Sequence, residues 1–274
     1  MKSLLGGLAF FLIFSLAHAE TLERAIEAYN TGKYKISAEI LSNLADSSPR
    51  AKAFLCLHYV DGLIDDRARG NAICQESVLS KEPTAVFIWG RALIDGNTNI
   101  NVSKDFNKGL GFMSVAVIDF DFPPAYDFFC EYYGSREMYK QAASFCKVGA
   151  AQGMRRSQTR LASLYTQGQG VLQDHKKAYE LLLHGAGQHH APAYEILGDI
   201  FANGTHGQKK DLIQAYAWYS LAASVRPEKR VESKQTGLKL SSDQLMAASK
   251  LSKSWAYKEP KFANYLGFGS PSAK

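Results

Sequence analysis

Five histidines lie within a short stretch of the chain: His175, His184, His189, His190 and His206. Imidazoles hold zinc or copper when they are spaced to share one helix face and have acidic or thiolate companions. None of the five is spaced as H-x-x-x-H or H-E-x-x-H, so they read as polar loop residues and no metal is expected. Four cysteines, Cys56, Cys74, Cys130 and Cys146, are the other reactive side chains, and no C-x-x-C occurs. In an exported chain four cysteines pair, with three connectivities open to them. No G-x-S-x-G, S-x-x-K or phosphate-cradling glycine loop is present, so no nucleophile comes with its base. Gly168-Gln-Gly170 reads as a turn. Asn101-Val-Ser and Asn203-Gly-Thr are glycosylation sequons of the kind that arise by chance. No catalytic residue and no cofactor are expected.

The elements that carry these residues repeat. One segment runs Leu161-Ala162, Tyr165, Gly168, Gly170-Val171, Asp174 and Lys177-Ala178, and the next runs Leu197-Gly198, Phe201, Gly204, Asp211 and Gln214-Ala215 to Ala223. Leu161 and Leu197 are 36 residues apart. Each segment reads as a helix, a glycine turn and a second helix. Leu197, Gly198 and Phe201 form an apolar stripe with one small residue inside it, where the second helix approaches. Gly168, Gly170 and Gly204 suit the left-handed backbone that ends a helix. Asp211 with Gln214 resembles a capping box opening the next helix. Weaker copies lie upstream in register: Ala125–Tyr133 with Gln141–Ala150, Ala85–Leu93 with Gly109–Val117, and Ala51–Tyr59 with Gly70–Cys74. The second of these copies is irregular, with a long turn over Asn97–Asn107 and an unusual connector over Asp119–Pro124.

These motifs resemble SEL-1-like repeats, strongly over 157–223 and in degenerate form over 21–150. Gln214–Ala223 (QAYAWYSLAA) is especially similar to the last repeat of bacterial members. The resemblance implies an all-α fold, an α-solenoid of about six stacked helical hairpins, that acts by binding proteins. Some cysteine-rich relatives are linked to penicillin binding or β-lactam hydrolysis, which keeps a hydrolase as a remote alternative. The repeat register also selects a cysteine pairing. Cys56 and Cys130 take the small-residue place of their first helices, and Cys74 and Cys146 share a place in their second helices. The expected bridges are therefore Cys56–Cys74 and Cys130–Cys146, each across one hairpin.

Residues 1–19 have the order of a cleaved signal: Lys2, an apolar run from Leu4 to Leu16, then Ala17-His18-Ala19. Cleavage after Ala19 would make the protein periplasmic or secreted. The expected organisation continues with an opening tetratricopeptide-like hairpin (20–48), a repeat array (49–225), a polar linker (226–240), a capping helix (241–256) and a loose tail (257–274). The formal charge of +6 is uneven, because Arg226–Lys274 holds ten Lys/Arg against four Asp/Glu. The array itself is close to neutral, which with export argues against nucleic acid as a partner. The basic end leaves room for weak contact with an anionic envelope polymer.

In such stacks the first helix of each hairpin usually lines the concave face. Its polar positions, Arg91, Glu131, Arg160, Ser163, Glu195 and Asp199, are the expected partner contacts. Their mixed sign suits a protein or peptide in the cell envelope. A binder of cell-wall glycan or peptide is the alternative, and a secreted effector meeting host proteins is a variant of the first reading.

Overall fold

A computed structural model gives the fold of residues 20–227, 234–235 and 238–256. The expected signal segment and tail, and most of the linker, lie outside the described residues. Among the described residues regular structure is helical, apart from one isolated antiparallel bridge between Asn97 and Val102. The helices run α1 (20–30), α2 (Tyr34–Leu44), α3 (Pro49–Val60), α4 (Arg67–Leu79), α5 (Pro83–Asp95), α6 (Phe106–Ile118) and α7 (Pro123–Gly134). They continue with α8 (Tyr139–Ala151), α9 (Arg155–Gln167), α10 (His175–Gly187), α11 (Ala191–Asn203), α12 (Leu212–Val225) and α13 (Ser242–Ala256). The fold is all-α, built of stacked helical hairpins of the solenoid kind. It divides into two compact units, Met1–Ala125 and Tyr126–Lys274, in the first turn of α7, just after the connector that the sequence marks as irregular.

One local device opens the second helix of most hairpins. Asp66, Asp105 and Asp174 each accept the backbone N–H three residues ahead, from Arg69, Lys108 and Lys177, at 3.0 Å. Asp211 accepts two, from Ile213 and Gln214. Each cap satisfies donors that the helix itself leaves without partners. The backbone N–H groups of Asp105, Asp174 and Asp211 in turn donate to the carbonyls of Leu93, Tyr165 and Phe201. Those three occupy the same place in their first helices, so one aspartate starts a helix and sets the hairpin turn. At Asp211 this differs from a full capping box. Gln214 reaches the Asp211 side chain at 3.1 Å, because the backbone donor is already committed to Phe201.

Counting from the cap residue explains the packing of each second helix. Four residues on stand Gly70, Gly109, Ala142, Ala178 and Ala215, all buried. Eight residues on stand Cys74, Met113, Cys146, Leu182 and Tyr219, none more than 2% exposed. These positions face the small residue of the first helix. A Cβ on Gly90 would meet Phe112 Cβ at 3.0 Å, and one on Gly198 would come within 2.4 Å of Tyr219 Cε1. Glycine at 198 is therefore what lets that aromatic ring lie on the α11 backbone.

In unit 1 the first helices are enclosed and the second helices lie outside. α3 buries Ala51 and Ala53–Tyr59, and α5 buries Thr84–Gly90 and Ala92–Ile94, whereas α4 buries only Gly70, Cys74 and Ser77. A helix buried on nearly all sides needs neighbours on both flanks, which is what stacking supplies. The long turn over Asn97–Asn107 is a packed feature. Ile100 is fully buried, its carbonyl accepts from Asn71, and the amides of Asn97 and Asn99 both donate to the Val60 carbonyl. The insertion thus bolts the α5–α6 hairpin to the end of α3.

In unit 2 two apolar clusters follow the repeats. One gathers Cys130, Cys146, Leu161 and Leu164, and the other runs from Ala162 and Leu182 through Leu197 and Phe201 to Ala222. α13 closes the second cluster. Trp255 stacks on Trp218 at 4.3 Å, and Trp218 stacks on Tyr194 at 5.7 Å.

Candidate interaction surface

The two pairs of cysteines are joined as the repeat register predicts. Cys56–Cys74 spans α3 and α4 with a Cα separation of 4.9 Å, and Cys130–Cys146 spans α7 and α8 at 4.7 Å. Each cysteine is at most 1% exposed. In both hairpins the bridge replaces the contact that glycine and a large side chain make elsewhere, so the cysteines serve packing. The histidines tie successive hairpins together. Thr159 on α9 lies 2.8 Å from His190 Nδ1, and Thr166 lies 2.9 Å from His206 Nε2. His175 stacks edge-on to His206 at 4.7 Å, and His189 meets the Tyr194 hydroxyl at 3.0 Å. Burial, with Arg155 and Arg156 nearby, lowers the His190 pKa to about 4 and keeps the ring neutral. Among the described residues no three His, Cys, Asp or Glu side chains are grouped to hold a metal ion.

The expected contact residues divide into open and occupied ones. In unit 1, Arg91 is exposed on α5 and pairs with Asp95 one turn on, at 3.0 Å. In unit 2, Arg160 on α9 pairs with Glu131 on α7 at 3.3 Å, which places neighbouring first helices side by side on one polar strip. The Arg160 guanidinium lies against the backbone of Gly134, where a Cβ would come within 2.6 Å of Nε. Ser163 follows Arg160 by three residues and shares its helix face. Both exposed ion pairs are worth at most about 1 kcal/mol to stability. They leave charged groups available to a partner.

Glu195 and Asp199 on α11 are different. Glu195 is only 8% exposed, and its carboxylate lies 2.9 Å from the Lys234 ammonium. Lys234 also contacts both oxygens of Asp199 at 2.8 Å, and the Tyr219 hydroxyl donates to Asp199 Oδ1 at 2.7 Å. Burial opposes the Lys234 charge, but hydrogen bonds to Asp199 and Glu195 outweigh it and raise its pKa. Burial and the hydrogen bond to Asp199 push the Tyr219 hydroxyl far up. Sequence reasoning missed Lys234, which sits in a polar segment without periodicity. It also missed Asp127, whose Oδ1 accepts from both the N–H and the hydroxyl of Ser157 at 2.7 Å. Burial raises the Asp127 pKa against the pull of those bonds. The one available signal was a carboxylate set inside the apolar stripe of α7.

Comparison with known proteins places these hairpins. The Sel1 repeat model matches residues 155–188 and 191–224, which are α9–α10 and α11–α12 with their turns. No curated protein sequence matches the chain. Among solved structures, a protective antigen present in uropathogenic Escherichia coli strains, displaying an SLR fold, superposes with a TM-score of 0.71 at 21% identity. That match covers 94% of this chain and 57% of the antigen, so the chain spans little more than half of that protein's length. A Sel1 repeat protein from Oxalobacter formigenes superposes with a TM-score of 0.62 at 22% identity, over 85% of this chain and 99% of that one. At these identities the two structures establish the shared fold.

Proposed function

The chain is a SEL-1-like repeat protein, and from that premise we propose that it is an exported, non-catalytic scaffold that holds a protein or peptide partner in the bacterial cell envelope. Sel1 repeats generally mediate protein–protein interactions. The observation that carries the reading to this chain is the polar strip of unit 2. Glu131, Arg160 and Ser163 stand on adjacent first helices with mixed charge, held by packed hairpins. Mixed sign and rigid spacing suit a polypeptide, whose charges also alternate, better than a polymer of one charge. Export is supported by the apolar run of residues 4–16 and by two buried bridges, which persist in oxidising compartments. No described helix is long and apolar enough to cross a membrane.

The wall-polymer reading draws on the basic residues after Arg226. It is weakened because Lys234 is turned onto carboxylates of the chain itself. The test is brief cross-linking in intact envelopes, followed by capture of the tagged protein and mass spectrometry. The scaffold reading expects one protein recovered near one-to-one and lost when Glu131 and Arg160 are both replaced by alanine. Recovery of wall fragments alone, released by salt, would overturn it in favour of the polymer.

A further inference from the structure

Five of the chain's seven histidines lie within or between the two matched repeats, and two of them clasp the joint. α9 presents Thr159 and Thr166, seven residues apart and so on one helix face. His190, the residue that opens α11, lies 2.8 Å from Thr159 Oγ1. His206, two residues past the glycine that closes α11, lies 2.9 Å from Thr166 Oγ1. Both ends of α11 are thus tied to α9 through an imidazole. Each threonine hydroxyl also reaches a carbonyl of α9, that of Arg155 at 3.0 Å or of Ala162 at 2.9 Å. Its single proton goes there, so its oxygen accepts from the ring N–H. A neutral ring and a charged one both make that bond, and what separates them is charge. Arg155 and Arg156 of α9 bear on His190, and the N-terminus of α11 also disfavours a cation there. Asp127 of α7, the carboxylate that acts on Arg155, is held by Ser157. His206 faces His175 of α10 at 4.7 Å, and Asp174 beside His175 is committed to Lys177. At both ends a proton on the clasp histidine is set against neighbours that are cationic or become so in acid.

We propose that His190 and His206 form an acid-released clasp, which holds the α11–α12 hairpin on α9 near neutral pH and lets it go as the surroundings acidify. The closed joint holds both rings below the ordinary imidazole pKa, His190 at about 4. In the open joint they regain a value near 6.5. Protons therefore favour the open form as pH falls from 6.5 toward 4, and the closed form keeps its full stability above that window. A hairpin that leaves its neighbour gives up the core it shares, which runs here from Ala162 and Leu182 to Leu197 and Ala222. Release is then local unfolding of α11–α12. α9 also carries Arg160 and Ser163, so acid removes the support beside that strip. This consequence for a partner rests on the scaffold reading, whereas the clasp stands without it.

Amide hydrogen exchange of the full chain decides it, read by mass spectrometry at about pH 7 and about pH 4.5 and corrected for the intrinsic pH dependence of exchange. Protection of α11 and α12 should fall about tenfold or more relative to α8. A chain carrying His190→Gln and His206→Gln keeps an N–H for each threonine and cannot take the proton. Its α11–α12 protection should hold to within about twofold. An equal fall in α8, or no fall in the unsubstituted chain, would overturn the clasp. So would a fall that persists in the double variant. If circular dichroism shows that variant unfolded near neutral pH, His190→Gln alone carries the test, and an undiminished fall in it refutes the proposal. None of these outcomes touches the scaffold reading, which capture of a partner tests separately.

Discussion

Replacing Gly198 by alanine tests the packing logic of the repeat at its tightest point. The added Cβ would come within 2.4 Å of Tyr219 Cε1, closer than two carbons can pack. Over-filling a packed core typically costs about 1–3 kcal/mol. Moving Tyr219 also strains its 2.7 Å hydrogen bond to Asp199, worth about 1 kcal/mol. Against this, alanine in a helix interior gains about 1 kcal/mol over glycine. The net expectation is a loss of about 1–3 kcal/mol. Gly111, in the middle of α6, is the control, since a Cβ there meets nothing within 4 Å. Gly111→Ala should stabilise by about 0.5–1 kcal/mol. The assay is urea denaturation followed by circular dichroism with the disulfides intact, comparing midpoints at constant slope. If Gly198→Ala stabilises as Gly111→Ala does, the small-residue position does not govern hairpin approach and the reasoning fails.

Removing the bridge between α7 and α8 with Cys130→Ala and Cys146→Ala should cost about 3 kcal/mol in the chain-entropy model, given a sequence separation of 16. Reduction of the unsubstituted chain, which also opens Cys56–Cys74, should cost more than this by denaturant titration. Asp211→Ala should cost about 1–2 kcal/mol, because two N–H groups of α12 lose their acceptor. Asp174→Ala, which frees one, should cost less. For pH, His190 is held neutral in the folded chain with its pKa lowered from 6.5 to about 4. The unfolded chain therefore takes the proton first, and stability present above pH 6.5 is lost progressively as pH falls toward 4. Partial exposure reduces the full shift to about 1–2 kcal/mol. Buried His58, whose pKa is also lowered by burial, adds in the same direction. His190→Gln should flatten the slope of stability against pH in that window.

Much of the fold is legible in the sequence because each hairpin uses the same few residues for the same physical tasks. Asp66, Asp105, Asp174 and Asp211 open second helices, and Gly168 and Gly204 close first helices in the left-handed region, at φ 68 and 69. The cysteine pairing is readable for the same reason, since all four occupy positions the register brings together. What cannot be read depends on side chains meeting from distant places. Periodicity puts Glu195 on the polar face of α11, but the side chain is buried and paired with Lys234, a residue from beyond the repeats. The turn over Asn97–Asn107 is recognisable as an interruption. That Ile100 anchors it follows only from the contacts it makes. Asp127 carries no turn or cap signal because its partner, Ser157, belongs to the next hairpin.

The scaffold reading meets its most direct test in site-specific photo-cross-linking in living cells. A photoreactive residue is placed at Glu131 or Ser163 on the first-helix strip, and at Lys176 or Glu180, both exposed on α10, as controls. The account predicts one discrete protein adduct from the first two positions and none from the controls. Adducts from α10 alone, or equally from all four positions, would contradict it.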